Sequence, residues 1–318
     1  MKKVLLLGTI LLIGTQVMAE GIENASVSVN NKWSIELGVQ SQTLEANEVL
    51  YKGDDSDDRL SQLNWRMNNV KMFGGKISYK PTDRLGFSFG GYTKVGEYND
   101  KMDDYDWEQT HGGSDLDETD NWDNHTVSKT ELDKAINLNV GMNYKVYDGI
   151  HNDFFLLGGL SYMNNKWSAY GAHGYHLGAR FDDDDRYLVI DYEQKIFTGD
   201  LGMEYEFEYN KFELGLSGIL GLGYTNTVDN HYGGNNTGTK YEDKDMKTIK
   251  FETTVYLGYK FTKNLDTKLS VTGNLTQSYE KGKETATYMD GSGSVADSDL
   301  TGFRNKSLIT KLSVNYSF

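Results

Sequence analysis

Between Phe212 and Tyr224 the chain reads "FELGLSGILGLGY", and all its large apolar residues but Ile219 fall on alternate positions. Phe212, Leu214, Leu216, Gly218, Leu220, Leu222 and Tyr224 share one face, while Glu213, Gly215, Ser217, Ile219, Gly221 and Gly223 share the other. A period of two is that of an extended strand, whose successive side chains point to opposite sides. "FETTVYLGYKF" (251–261) repeats the pattern, with Phe251, Val255, Leu257, Tyr259 and Phe261 opposed to Glu252, Thr254 and Lys260. "LITKLSVNYSF" (308–318) repeats it with Leu308, Leu312, Val314, Tyr316 and Phe318 on the apolar face. Such strands need something apolar against one side only. A bilayer supplies that for a closed barrel, in which every backbone group finds a partner and alternate residues face lipid. A soluble β-sandwich is the rival, but large apolar side chains facing outward on nearly every strand oppose it.

Composition agrees with long uninterrupted ladders. There is one proline in 318 residues, beside 35 glycines and 22 tyrosines; proline cannot donate to a ladder. The mean hydropathy of −0.60 is low for a membrane protein, yet a barrel needs apolar residues only at alternate positions. Segments with strand character fall at about 33–51, 58–79, 84–107, 129–146, 153–172, 186–208, 211–232, 240–262, 265–289 and 302–318. The expectation is an all-β fold: a transmembrane, antiparallel, up-and-down β-barrel of about ten long strands. Connections near 80–84, 208–212 and 261–266 are short, whereas 108–128, 173–185 and 230–240 are long and polar. That asymmetry separates the two ends of an outer-membrane barrel. Many segments are about twice the 9–11 residues a bilayer requires, so the surplus is expected to stand above the membrane.

The first residues, "MKKVLLLGTILLIGTQVMAE", carry two lysines, an apolar run and Val17-Met18-Ala19. This is the pattern of a secretory signal, expected to occupy 1–19 and to leave 20–318 as one barrel domain. Loss of Lys2 and Lys3 would make the net charge of −15 two units more negative. The excess of acid points away from nucleic acid and towards cationic partners. With no cysteine, the chain has no disulfide framework and no thiolate nucleophile. No cluster has metal-ligand spacing, so no metal and no cofactor are expected.

Parity places polar residues at the mouth. Odd positions of 211–232 point inward, which includes Asp229 and His231. Leu85, Phe87, Phe89 and Val95 point outward, so Asp104 and Asp106 further along that strand point inward. Trp33, Ile35, Leu37 and Val39 point outward, so Glu48 points inward. Arg66 and Lys94 also count inward. A chain with 47 acids makes such pairs by chance, and Asp123-Asn124-His125 repeats the aspartate-x-histidine pattern in an acidic loop. What distinguishes the first set is that five residues from three strands converge. His111, His151, His173 and His176 fall in or beside loops and take no role.

"SQLNWRMNN" (61–69), "MDDYDWEQ" (102–109), "VDNHY" (228–232), "GYKFTKN" (258–264) and the terminal "NYSF" resemble the omptins, outer-membrane endoproteases of Gram-negative bacteria. The strand spacing matches across almost the whole chain after the signal. The resemblance implies peptide hydrolysis by activated water, without a covalent acyl-enzyme. It makes His231 the general base, Asp229 its orienting partner and Asp104 with Asp106 the pair that holds the water. It also implies an active site facing the cell exterior and a pocket for a basic side chain. Glu48 matches one acid of that pocket, but Thr227 stands where a second is expected. Glu45 and Asp103 are candidate substitutes. The acidic stretch 114–123 is expected near the mouth, drawing in cationic peptide or protein substrates. Lipopolysaccharide is implied as an activating lipid bound through Tyr162, Lys166 and Lys195, with Lys244 or Lys247 as a further contact and Asn164 in place of an acid. A catalytically silent adhesin or scaffold and a small pore are the other functions such a barrel serves.

Overall fold

The computed structural model describes residues 32–53, 57–233 and 237–318; the expected signal at 1–19 lies outside them. Thirteen strands form among the described residues. In chain order they are β1 (Trp33–Tyr51), β2 (Arg59–Tyr79), β3 (Leu85–Lys94), β4 (Asn99–Asp106), β5 (Asn124–Asp148), β6 (Asn152–His176) and β7 (Ala179–Asp182). They continue with β8 (Leu188–Tyr209), β9 (Phe212–Tyr232), β10 (Gly238–Lys260), β11 (Leu265–Ser278), β12 (Gly282–Tyr288) and β13 (Ser294–Ser317).

All pairings are antiparallel. β3 and β4 both lie between β2 and β5, as two lengths of one stave. β11 and β12 likewise lie between β10 and β13. β7 extends only the end of β6. Ten staves remain, and the first closes on the last from Ser34↔Ser317 to Leu50↔Thr301. The sheet is therefore a barrel with no free edge along its length, which is how a sheet satisfies its backbone in lipid.

The alternation seen in the sequence becomes an apolar belt. Leu37, Phe89, Val140, Leu160, Leu201, Leu216, Val255, Val271 and Leu312 are all exposed on its outside. At the short-turn rim Trp33 meets Tyr79 and Phe212 meets Tyr259, with ring centroids 4.5 and 5.2 Å apart. Inside the belt, acids meet lysines: Lys250 lies 2.6 Å from Asp200, Lys268 2.5 Å from Glu213 and Lys311 2.9 Å from Glu36.

Above the belt the lumen is filled. Trp65, Trp167 and Tyr192 stack with centroids 5.5 to 6.0 Å apart. Leu44, Met67, Met72, Met102 and Leu132 are buried with them. This plate carries the site above it, since Tyr192 sits in register beside Asp229.

Two bulges change faces. On β2, Asn68 and Asn69 together oppose the single Thr43 of β1, one residue in excess, and Asn69 takes a φ of 56°. An extra residue shifts the alternation by one. Arg66, counted inward from the membrane zone, therefore points outward, 3.7 Å from Asp103. On β10, Lys244 and Asp245 together oppose the single Asn226 of β9, again one residue in excess, and Asp245 takes a φ of 60°.

Candidate active site

Above the lipid belt, β1, β2, β4, β9, β10, β12 and β13 wall a cleft of about 340 Å³. Glu48, Asp104, Asp106, Glu108, Asp229, His231, Asp243 and Glu284 line it, together with Tyr241, Leu50, Leu60 and Leu63. No lysine or arginine is among its lining residues. Glu48, Asp104, Asp106, Asp229 and His231 are thus brought to one cavity by three staves remote in sequence. No bulge interrupts β1 or β9 on the way to Glu48 and Asp229. The break at 95–98 between β3 and β4 spans four residues and leaves parity unchanged.

His231 Nε2 is hydrogen-bonded to Asp229 Oδ2. The carboxylate is buried, with 4% of its side chain exposed, while 40% of the imidazole side chain is open to the cleft. Tyr241 stands next to Asp229 on β10 and sets its ring edge against the imidazole, 5.1 Å between centroids and 73° between planes. Nε2 is thereby committed to Asp229, and Nδ1 is the nitrogen left for a further partner. Asp106 accepts a bond from Asn124 Nδ2 at 3.3 Å, which fixes one side of the carboxylate pair.

The charge balance decides the protonation. Burial opposes the imidazolium, but the charge of Asp229 and its hydrogen bond, with Asp104 and Asp106 beyond, outweigh burial and raise the His231 pKa to about 9. Burial of Asp104, then the like charges of Asp106 and Asp229, push its pKa up to about 8 against the opposing pull of His231. Burial, with Asp229, Asp243, Glu284 and Asp104 around it, pushes Glu48 well above the usual carboxylate range. Glu48 and Asp104 are held towards their protonated forms because buried like charges at close range cannot all ionise.

Thr227 is buried and donates its hydroxyl to Asp243 Oδ2 at 2.8 Å. Neither candidate substitute for the missing acid reaches the cleft. Glu45 lines an outward-facing groove with Phe251 and Leu308. Asp103 is held on the outer side by His125 at 3.2 Å, Lys101 at 3.4 Å and Arg66 at 3.7 Å. Both lie at the parity opposite to Glu48 and Asp104. The same contacts remove His125 from the cleft; its ring stacks on Tyr105 with centroids 4.3 Å apart. The acidic loop does not hang free at the mouth. Arg59 reaches Gly113 O at 3.0 Å, Gln62 reaches Leu116 O at 3.1 Å, and Asp117 pairs with Arg304 at 2.7 Å and Lys306 at 2.8 Å. These contacts fasten the loop across the outside of β2, β1 and β13. Asp243, Glu284 and Tyr241 are among the lining residues that parity and motif reading did not single out.

On the outer wall, Lys166 lies 3.6 Å from Asp191, and Lys195 and Lys134 lie 3.0 and 3.7 Å from Glu193. Asn164 donates to the Tyr162 hydroxyl at 3.2 Å. Among the described residues, no group of three or more His, Cys, Asp or Glu side chains is arranged to hold a metal ion.

Comparison with known proteins places this barrel. The Plasminogen activator of Yersinia pestis is 24% identical over 278 residues, 86% of each chain. Protease 7 of Escherichia coli K12 is 24% identical over 285 residues, again 86% of each. The crystal structure of the outer membrane protease OmpT from Escherichia coli superposes with a TM-score of 0.81 at 18% identity, covering 93% of this chain and 99% of that one. The fold is thus shared almost end to end with an outer-membrane barrel, in keeping with the lipid belt and the bacterial outer membrane as its location. The sequence model of the Omptin family matches residues 29–318, and with that span this chain belongs to the Omptin family.

Proposed function

We propose that the protein is an outer-membrane endopeptidase that hydrolyses peptide bonds beside basic residues, with its active site open to the cell exterior. Proteases among its relatives support hydrolysis of peptides. The observation that carries the finer reading is the cleft itself: a histidine bonded to a buried aspartate shares it with a second carboxylate pair and no basic side chain.

In this reading a water sits between His231 Nδ1 and the Asp104/Asp106 pair. The pair shares a proton, so one oxygen donates and another accepts, which fixes the water's orientation. As the water oxygen bonds to the scissile carbonyl carbon, its proton passes to neutral His231. Asp229 favours the imidazolium that forms. His231 then gives that proton to the amide nitrogen as the C–N bond breaks, leaving a carboxyl group and an amine.

Glu48 and Thr227 belong to the wall that receives the basic side chain. Lipopolysaccharide is the proposed activating lipid, with Tyr162, Lys166 and Lys195 on the outer wall facing its phosphates; lysine binds phosphate as a point charge. Neither a metal nor a further cofactor enters the scheme. Refolded protein, assayed with and without lipopolysaccharide on peptides bearing a single arginine, tests the reading. Cleavage next to the arginine, faster with lipid, is expected. No hydrolysis of any basic peptide in either condition would contradict it.

A further inference from the structure

Thr227 leaves the wall of the cleft without a carboxylate at that position, yet the row it belongs to is not neutral. Across three neighbouring staves Thr227, Asp243 and Glu284 stand directly opposite one another. Like charges opposed on a sheet destabilise it, and Asp243 faces Glu284 in that way. The Asp243 residue is 3% exposed. Its Oδ2 accepts from Thr227, while its Oδ1 is buried without a hydrogen-bond partner. Glu48 Oε2, on the same cleft, is also buried without a partner.

The lower barrel shows what this sequence does with buried acids that serve the fold. Asp200, Glu213 and Glu36 each have a lysine within 2.9 Å. Among the described residues, Asp243 and Glu48 have none. An unpaired buried carboxylate is costly, and it becomes favourable only when a cation arrives from outside.

We propose that Asp243 is the specificity-determining residue of this pocket, replacing from the neighbouring strand the carboxylate that Thr227 lacks, and that with Glu48 it clasps a guanidinium or ammonium group of the substrate. The proposal rests on the endopeptidase reading for the meaning of the pocket. The bulge at Lys244 and Asp245 makes it possible. Phe251 and Val255 face outward on odd positions, so an uninterrupted β10 would turn Asp243 outward as well. The one extra residue returns it to the lumen, and Asn226 Oδ1 holds the bulge by accepting from Asp245 N at 3.1 Å. Thr227 then acts as a positioning residue, because its hydroxyl fixes the carboxylate of Asp243. Burial, with Glu284 and Asp229 nearby, raises the Asp243 pKa to about 8 against the Thr227 hydrogen bond, so an arriving cation is met by release of a proton.

Two readouts test this. The first is the ratio of kcat/KM for a peptide with arginine at the cut site to that for its norleucine counterpart, in wild type, Asp243→Asn and Asp243→Asn/Thr227→Asp. Asp243→Asn is expected to cut the ratio roughly 10- to 100-fold, as loss of a charged hydrogen bond does, mainly through KM. Cleavage of the norleucine peptide should persist, and Thr227→Asp should restore part of the preference. The second readout is binding of a non-cleavable arginine peptide with a reduced amide bond. Asp243→Asn should weaken it by a similar factor even if no peptide is ever cut, which separates this pocket from the catalytic reading. A ratio and a binding constant both unchanged in Asp243→Asn, with the barrel folded by circular dichroism, would overturn the proposal.

Discussion

Two acid-rich regions lie inside the same barrel and are built on opposite terms. At the level of the lipid belt, Glu36, Asp200 and Glu213 each meet a lysine, and Tyr256 donates to Glu204 at 3.0 Å. At the mouth, Glu48, Asp104, Asp106, Asp229, Asp243 and Glu284 share one imidazole and no lysine or arginine. The lower set is neutralised within the fold and fills the lumen. The upper set stores unpaired acid and protons around an open cleft. Sequence composition alone does not separate them, because both are carboxylates on inward positions of long strands. What separates them is where the lysines fall, and that depends on register.

The difference predicts opposite responses to mutation. His231→Ala and Asp104→Asn should each lower peptide cleavage by at least about a hundredfold, as removal of a general base or a water-positioning group does. The unfolding midpoint of Asp104→Asn in urea should stay close to wild type, because the substitution removes a like charge from the cleft. Lys250→Met should do the reverse. It leaves Asp200 buried without its cation, which costs on the order of 3–5 kcal/mol, so the midpoint should fall while cleavage per folded molecule is retained. A stability loss at the mouth equal to that at the belt would erase the distinction.

A smaller effect is expected in pH dependence. His231 must be neutral to act as base, and its pKa is raised to about 9. The neutral fraction therefore grows as pH rises, while the proton held by Asp104 is lost as pH passes its pKa of about 8, so kcat/KM should climb from pH 7, pass through a maximum and then fall. Asp106 raises this pKa by favouring the imidazolium and raises that of Asp104 by like-charge repulsion. Asp106→Asn removes both influences, so the rising limb of its residual activity should move to lower pH. A limb that stays in place would mean that Asp106 does not face the imidazole.

Much of this architecture is legible in the sequence because lipid enforces one rule on every stave. Leu214, Leu216, Leu220 and Leu222 reveal their face without any knowledge of neighbours. The same parity carries Glu48, Asp104, Asp106, Asp229 and His231 to the lumen, since no bulge alters the count along their own strands. It fails where an extra residue intervenes. Arg66 lies beyond Asn68 and Asn69, and Asp243 lies beyond Lys244 and Asp245, so each occupies the face opposite to its count. "EDKDM" gives no local sign of the bulge beyond an aspartate able to adopt positive φ. Glu284 follows the interruption between β11 and β12, which again breaks the count. The acidic loop was illegible for another reason: its anchors Arg59, Arg304 and Lys306 come from strands far away in sequence.

The central claim is that His231 and Asp104 act on one water, so the most direct measurement is a double-mutant cycle on kcat/KM for an arginine peptide. Groups that work as a unit do not lose activity independently. The double variant His231→Ala/Asp104→Asn should be about as slow as the worse single variant. Losses that multiply would contradict a shared water.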